Sequence, residues 1–168
     1  MSDLANSFDT VVSQRRSLRA FLPRAVGQPT LHRVFAAAQR APSNCNTQPW
    51  VVHVASGASL EKLRAEMSQR FMSGEFSMDF PYAGKYEGVY KERQYASVQA
   101  LYDAVGVARA DKPGRHQQFM QNFTFFDAPH VAFLFLPESF GLREAADLGM
   151  YAQTLMLAMT ANGLGSYA

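Results

Sequence analysis

Hydrophobic residues recur at helical spacing in five parts of the chain. The segment that follows Pro29 has Thr30 as its predicted N-cap, and the next has Ser59. The last segment is apolar around much of its circumference, so other elements or a second subunit are expected to cover it, and Gly163 is expected to end it. The predicted helices are residues 31–41, 59–71, 92–109, 115–123 and 142–162.

Two short apolar stretches predict β-strands. Residues 50–55 are β-branched and aromatic, and they lie between Pro49 and a Ser-Gly pair. Residues 130–136 are almost continuously apolar between two prolines, which predicts a strand buried on both faces at the centre of a sheet. No internal repeat or linker interrupts these elements, so residues 1–168 are predicted to form a single domain.

Residues 73–90 show no sustained periodicity. Long irregular segments are often lids or binding loops, so one hypothesis is a flap that offers aromatic faces to a planar substrate. The alternative, which we favour, is an ordinary loop whose aromatic side chains pack inward. The aromatic residues in question are Phe76, Phe80, Tyr82, Tyr86 and Tyr90.

Composition narrows the class of protein. Of the 168 residues, 48% are hydrophobic and 18% are charged, as in a globular protein with a core. A net charge of +2 is too mild to indicate a nucleic-acid partner. The sequence has neither a secretory leader pattern in residues 1–12 nor an apolar run long enough to span a bilayer. With a single cysteine and hence no intrachain disulfide, a cytoplasmic protein without a membrane partner is expected.

Three arginines and a serine lie close together near the N-terminus. Residues 15–21 read Arg-Arg-Ser-Leu-Arg-Ala-Phe. Because arginine presents planar, forked donors to phosphate oxygens, this cluster suits a ligand phosphate with about two negative charges. The alternative is a solvated surface cluster, which is the usual role of a charged run and the role expected of Arg16 taken alone.

A polar loop follows the first predicted helix. Residues 41–50 read Ala-Pro-Ser-Asn-Cys-Asn-Thr-Gln-Pro-Trp. Their short amide and hydroxyl side chains can donate and accept hydrogen bonds along the edge of a polar heterocycle. The alternative is an ordinary helix-to-strand connection rich in turn formers. Together with the arginine cluster, the loop predicts a nucleotide-like cofactor.

Two other chemistries have weaker support. The four histidines show no metal-ligand spacing, so no metal is expected. Cys45 and His53 have no evident third group to orient them, and an inert thiol is favoured over a catalytic one. No catalytic side chain is therefore predicted.

The order of the motifs resembles that of the nitroreductase-like family of FMN-dependent oxidoreductases. This resemblance implies an α+β fold with a central, mostly antiparallel sheet flanked by helices, and an intertwined homodimer with FMN in the subunit interface. The residues that carry it are Arg15, Ser17 and Arg19, Pro42-Ser43-Asn44 with Asn46, Gln48, Pro49 and Trp50, Asp127-Ala128-Pro129, and Gly163-Leu164-Gly165-Ser166.

The resemblance also implies cofactor-binding roles. Arg15 and Ser17 are expected to hold the FMN phosphate and ribityl end, and Arg19 to approach the pyrimidine carbonyl. The polar loop is expected to reach the flavin bound mainly by the other subunit, with Gln48 supporting the loop. A further amide contact falls on Gln121 or Asn122. The candidate cofactor-binding residues are Arg15, Arg16, Ser17, Arg19, Pro42, Ser43, Asn44, Asn46 and Gln121.

The sequence departs from the family pattern at its end. Family chains continue after the Gly-Leu-Gly-Ser turn into a glycine-containing stretch that faces flavin N5 and then into a strand with further phosphate contacts, whereas this sequence stops at Ala168. The C-terminal part of the fold is therefore expected to be absent, either because the chain is a fragment of a longer protein or because the protein lacks part of the usual site. A fragment is favoured, because residues 167–168 resemble the opening of a strand, and an unfinished buried strand would leave backbone groups without partners. Retention of FMN is then an open question.

The implied function is an FMN-dependent oxidoreductase. Hydride is expected to pass from NADH or NADPH through the flavin to a nitroaromatic, quinone or similar planar acceptor, by a ping-pong mechanism in which the cofactor carries the chemistry. Two rival hypotheses remain. One is a non-catalytic flavin- or nucleotide-binding protein, and the other is a transferase that depends on Cys45.

Overall fold

Six helices and two strands make up the regular structure of residues 2–75, 77–79 and 84–168, which the computed structural model describes. These residues divide into two compact units, the first comprising Met1–Glu61 with Asp127–Ala168 and the second Lys62–Phe126. The single domain predicted over residues 1–168 stays a prediction. The elements are α1 (Asp3–Gln14), α2 (Gln28–Ala38), β1 (Val51–Ser56), α3 (Gly57–Met72), α4 (Gly88–Ala104), α5 (Lys112–Met120), β2 (His130–Phe135) and α6 (Leu142–Ala161), with 3₁₀ turns at Asn44–Asn46 and Phe125–Asp127.

The two strands of the first unit pair with each other. They are antiparallel, with Val51 opposite Phe135 and Ser56 opposite His130. The prediction of a central β2 buried on both faces is wrong for the described residues, where β2 pairs with β1 alone and none of its residues is fully buried. An apolar run sets strand propensity, but it does not set the number of neighbouring strands.

The core of the first unit lies where α2 and α6 meet the start of β1. The ring of Trp50 packs on that of Tyr151, with 4.8 Å between their centroids, and Trp50 Nε1 donates a hydrogen bond to Gln39 Oε1 at 2.8 Å. Ala41, at the start of the polar loop, and Pro49 and Trp50, at its end, are buried. Both ends of the loop are thus fixed in the core. The buried hydrophobic residues of this cluster are Val34, Ala38, Ala41, Trp50, Tyr151 and Leu155.

Several predicted helix ends are wrong by a few residues. The helix α2 begins before Thr30, which therefore does not cap it, and α3 begins directly after β1 instead of at a Ser59 cap. The turn into α3 is made by Gly57 at φ 54°, a left-handed conformation that glycine adopts without steric cost. Gly163 does follow α6, at φ 71°, as predicted.

The first turn of α6 is closed by a side chain. Glu144 Oε2 accepts a hydrogen bond from the backbone N–H of Gly141 at 3.1 Å. This hydrogen bond lowers the pKa of Glu144, because it stabilises the charged form. The N-cap residue of α6 is Gly141, which has no side-chain hydroxyl. Its backbone N–H is therefore satisfied by the side chain of Glu144, three residues further along the chain.

Helix α1 was not predicted from the sequence. Its N-cap is Ser2, whose side chain accepts a hydrogen bond from Ala5 N, and none of its residues is buried. Leu4, Phe8 and Val12 follow one another at four-residue spacing and are 80%, 61% and 44% exposed. They form an uncovered apolar stripe along one face of the helix.

The second unit is built on an aromatic cluster. The ring of Phe71 stacks on Phe123 with 4.2 Å between centroids and lies 5.5 Å from that of Phe119. Helix α4 buries none of its residues. Tyr86 and Tyr90 are exposed, so the inward packing favoured for the aromatic residues of segment 73–90 is wrong at these two positions. Phe76, Phe80 and Tyr82 lie outside the described residues.

Burial of Tyr151 predicts a loss of stability in alkaline solution. Burial raises the pKa of its hydroxyl above the ordinary value of 10.0, so the unfolded chain loses this proton at a lower pH than the folded chain. The stabilising contribution is complete below the ordinary pKa and is lost as pH rises through the raised value. We expect urea midpoints measured between about pH 8 and 11 to fall more steeply in the wild type than in Tyr151→Phe. Equal slopes would contradict this, and the exposed Tyr95→Phe serves as the control.

Candidate functional site

The arginine cluster of residues 15–21, called the arginine segment below, begins where α1 ends. The backbone N–H of Arg15 donates to Val11 O at 3.1 Å, and the chain then continues in an extended conformation. Ser17 forms a parallel bridge with Ser166, in which Leu18 N–H donates to Ser166 O at 3.0 Å. The segment is therefore held against the residues that follow α6.

The guanidinium groups of this segment have no acidic partner in the part of the chain that the structure describes. Neither Arg15, Arg16 nor Arg19 has a carboxylate oxygen within 4.0 Å. Arg19 lies over the ring of Tyr167, with its Cζ 4.7 Å from the centroid, an arrangement that orients a guanidinium without neutralising it. The positive charge of the segment is thus available to an anion.

A cavity of about 530 Å³ lies beside the segment. Arg16 and Leu18 are among the residues that line it, whereas Arg15, Ser17 and Arg19 are not. The cofactor contact expected of Arg16 stays a prediction. The lining residues are Ser13, Gln14, Arg16, Leu18, Thr160, Gly163, Leu164, Gly165 and Ser166.

Residues 43–48 of the polar loop form a closed, strained turn, which we call the polar turn. Ser43 Oγ accepts a hydrogen bond from Gln48 N–H at 2.9 Å, and Ser43 O accepts one from Asn46 N–H at 3.0 Å. Cys45, Asn46 and Gln48 have positive φ angles of 49°, 54° and 48°. A left-handed conformation costs an L-residue about 1–2 kcal/mol, so these hydrogen bonds hold a shape that the chain does not otherwise prefer.

The hydrogen bonds of the turn leave one amide group facing outward. Asn46 Oδ1 accepts a hydrogen bond from Gln48 Nε2 at 3.0 Å, which confirms that Gln48 supports the loop. Asn46 Nδ2 donates no hydrogen bond to the described residues, so the exposed Asn46 side chain keeps two N–H donors for a ligand. The turn therefore presents a hydrogen-bond donor to an acceptor atom such as a ring carbonyl.

Sequence reasoning missed the residue that ties the turn to α6. The carboxylate of Asp147 accepts a hydrogen bond from Asn44 N–H, with Oδ2 3.0 Å from the nitrogen, and Asp147 is only 3% exposed. The available signal was its spacing, because Asp147 lies four residues before Tyr151 and eight before Leu155, on the face of α6 that the core covers. An acidic residue on such a face needs a partner.

The arginine segment and the polar turn are anchored at opposite ends of α6. The turn is bonded to Asp147 in the second turn of this helix, and the arginine segment is bonded to Ser166, five residues beyond Ala161. About 21 Å of helix axis separates Asp147 from Ala161 at 1.5 Å per residue. No hydrogen bond joins the two segments in the described part of the chain.

The remaining candidates belong to neither of these two segments. Gln121 belongs to the second unit, where its carbonyl accepts hydrogen bonds from Phe126 N–H and Thr124 Oγ1, and its cofactor contact stays a prediction. Asn122 Nδ2 donates to Phe119 O. His53 packs edge-on against Phe135, and no hydrogen bond joins it to the exposed Cys45.

The described residues lack two further features. They contain no group of three or more His, Cys, Asp or Glu side chains placed to hold a metal ion. None of their helices combines the length and the hydropathy needed to cross a membrane.

The left-handed conformation of Cys45 can be tested by two substitutions. Cys45→Val should lower the free energy of unfolding by about 1–2 kcal/mol, because a β-branched side chain is disfavoured at positive φ, whereas Cys45→Gly should be tolerated. Urea denaturation of the two variants measures the difference. A valine variant as stable as the glycine variant would show that the turn does not have this conformation.

The chain is similar to known proteins along nearly its whole length. A family model described as Nitroreductase family matches residues 12–168. Nitroreductase NfnB of Mycolicibacterium smegmatis is 42% identical over 165 residues, covering 98% of this chain and 70% of that protein. A 4-nitrobenzoate reductase of Pseudomonas putida is 34% identical over 171 aligned positions, covering 99% of this chain and 73% of that protein.

The similarity extends to three-dimensional structure. The crystal structure of the FMN-dependent nitroreductase NfnB from Mycobacterium smegmatis in complex with NADPH matches with a TM-score of 0.92 at 42% identity, covering 96% of this chain and 73% of that one. This match confirms the predicted α+β fold, in which helices flank a small antiparallel sheet.

Proposed function

Because the chain belongs to the nitroreductase family, we propose that it is an NAD(P)H-dependent FMN oxidoreductase that reduces nitroaromatic compounds. The observation that carries the proposal is the free positive charge at Arg15 and Arg19 beside the exposed hydroxyl of Ser17. The relatives named above include an FMN-dependent nitroreductase crystallised with NADPH and a 4-nitrobenzoate reductase. The same chemistry is proposed for this chain.

The donor groups of the arginine segment and the polar turn fit FMN. Arg15 and Ser17 would hold its phosphate through charge-assisted hydrogen bonds. Arg19, which the ring of Tyr167 orients, would place a fixed positive charge near the pyrimidine carbonyl and stabilise negative charge that develops there. Asn46 Nδ2, turned outward by Gln48, would donate a hydrogen bond to the edge of the ring system. Each group matches the part of the cofactor assigned to it in charge or in hydrogen-bond direction.

When bound, FMN supplies hydride transfer, taking two electrons from NAD(P)H and passing them to the acceptor. For a nitro group, one NAD(P)H and one proton yield the nitroso compound, NAD(P)⁺ and water. NAD(P)H and the acceptor would bind one after the other at the same face of the flavin, so the proposed kinetics are ping-pong. Quinones are further candidate acceptors. The chain itself contributes binding, orientation and fixed charge, with no side-chain nucleophile. A cytoplasmic location, where NAD(P)H is supplied, is part of the proposal.

A homodimer with shared sites is part of the proposal. Within one chain the arginine segment and the polar turn are anchored to opposite ends of α6, which favours a site completed by the turn of a second copy. The apolar stripe of α1, at Leu4, Phe8 and Val12, is uncovered in the single chain and provides surface for such an assembly. FMN is then expected between the two subunits.

The phosphate contact is tested by Arg15→Ala. The loss of a charge-assisted hydrogen bond should weaken FMN binding by about 1.5–3 kcal/mol, measured by quenching of flavin fluorescence. Arg24→Ala removes an exposed arginine outside the segment and is the matched control. Unchanged affinity in Arg15→Ala would contradict the assigned phosphate contact.

Turnover distinguishes the oxidoreductase from its rivals. The FMN-loaded protein should lose its yellow colour when NADPH is added under nitrogen, and the colour should return on addition of 4-nitrobenzoate. A protein that binds FMN but never bleaches would instead be a flavin carrier. The transferase hypothesis requires the thiol of Cys45, so full activity in Cys45→Gly would exclude it.

Subunit mixing tests the shared site. Asn46→Ala and Arg15→Ala damage opposite halves of each site, so a heterodimer of the two variants should contain one intact site. We expect FMN binding and reductase activity to recover when the variants are unfolded and refolded together. No recovery, with heterodimers demonstrated by native mass spectrometry, would count against sites shared between subunits.

A further inference from the structure

Asp147 is a buried acidic residue in a helix that is otherwise largely apolar on its covered side. It is 3% exposed and shares a face of α6 with the buried Tyr151 and Leu155. Removing a carboxylate from water is costly unless hydrogen bonds replace the lost hydration. An aliphatic side chain at this position would avoid that cost. The contribution of Asp147 must therefore come from the contacts that its carboxylate makes.

The carboxylate is not part of a salt bridge in the described residues. No Lys, Arg or His nitrogen there lies within 4.0 Å of it. Its hydrogen-bond partner is the backbone N–H of Asn44, 103 positions away in the sequence, at 3.0 Å. An ion-pair role is therefore excluded within this part of the chain, and the contact with the polar turn remains.

Asp147 accepts a hydrogen bond from a backbone N–H that has no acceptor within the polar turn. Ser43 occupies the N-cap position of the Asn44–Asn46 turn, yet its side chain makes no cap hydrogen bond there, because Ser43 Oγ accepts from Gln48 N–H instead. The first N–H of a helical turn has no partner within the turn. The cap for Asn44 N–H is thus supplied from α6, by a residue distant in sequence.

We propose that Asp147 is a positioning residue that holds the polar turn in its ligand-facing conformation; the inference rests on the proposed function, in which this turn contacts FMN. The turn contains left-handed Cys45 and Asn46, so an external tie is needed to keep it from relaxing. A carboxylate forms a stronger hydrogen bond to N–H than a neutral acceptor does. Asp147 thereby fixes the direction in which Asn46 presents its amide.

The experiment compares Asp147→Ala, Asp147→Asn and the control Glu138→Gln. Asp147→Asn keeps a side-chain oxygen that can accept from Asn44 N–H, whereas Asp147→Ala removes the acceptor. Glu138 is an exposed carboxylate of the same unit, so its amide variant reproduces the change of charge without touching the turn. Measurements use the whole chain, as purified and after removal of FMN.

Three quantities are measured. FMN affinity should fall by about 10- to 100-fold in Asp147→Ala and by about 10-fold or less in Asp147→Asn. Alkylation of Cys45 by iodoacetamide, followed by mass spectrometry on the FMN-free protein, should be faster in Asp147→Ala, because the released turn exposes the thiol more freely. In Asp147→Asn, the Asn44 amide proton should move upfield in ¹⁵N-correlated spectra. Glu138→Gln should match the wild type in all three.

The outcomes separate this inference from the proposed function. If the wild type binds no FMN, the proposed function fails, while Cys45 alkylation and the Asn44 resonance still test whether Asp147 holds the turn. If the wild type binds FMN and Asp147→Ala changes neither affinity nor alkylation, the positioning role is overturned and the function stands. Should Asp147→Ala fail to fold, an unshifted Asn44 amide proton in Asp147→Asn overturns the proposal.

Discussion

The packing of Trp50 on Tyr151 is the contact on which the rest of the first unit depends. Trp50 is the last residue of the polar loop and stands immediately before β1, and Tyr151 is the fully buried residue at the middle of α6. Their contact fixes the loop, the strand and the helix relative to one another. Because protein interiors are close-packed, a shift of either ring would be transmitted to all three elements.

Helix α6 serves as the frame for both candidate binding segments. Its N-terminal half contributes Asp147, which holds the polar turn, and the residues after its C-terminus pair with the arginine segment. In the turn, the backbone N–H groups of Asn44, Asn46 and Gln48 are used in hydrogen bonds, which leaves the exposed side-chain amide of Asn46 to meet a ligand. In the arginine segment, the positive charge has no acidic neighbour in the described residues. One helix therefore positions both the cationic arginine segment and the amide side chain of the polar turn.

Elements with strong local signals were predictable. The helical periodicity of α2, α3 and α6 and the β-branched composition of β1 identified these elements to within a few residues, because periodicity reports a covered helix face and β-branched side chains favour an extended backbone. The start of α3 was not predictable from capping rules, since Gly57 makes the turn directly out of β1. Helix α1 was missed although Leu4, Phe8 and Val12 recur at four-residue spacing and Ser2 is a favourable N-cap residue, because residues 1–12 were examined only for a leader pattern.

By itself, the sequence determined which residue types are available for a phosphate and for a polar ring edge, since guanidinium, hydroxyl and amide groups are read directly from Arg15, Ser17 and Asn46. It also determined the family, through the order of its motifs. Only the tertiary structure decided that Arg16, unlike Arg15, lines a cavity with the residues that follow α6, and that Asp147 supports Asn44. The physical reason is that a cavity wall and a hydrogen bond across 103 positions bring together residues distant in the sequence, and these contacts are set by packing, which local sequence does not encode.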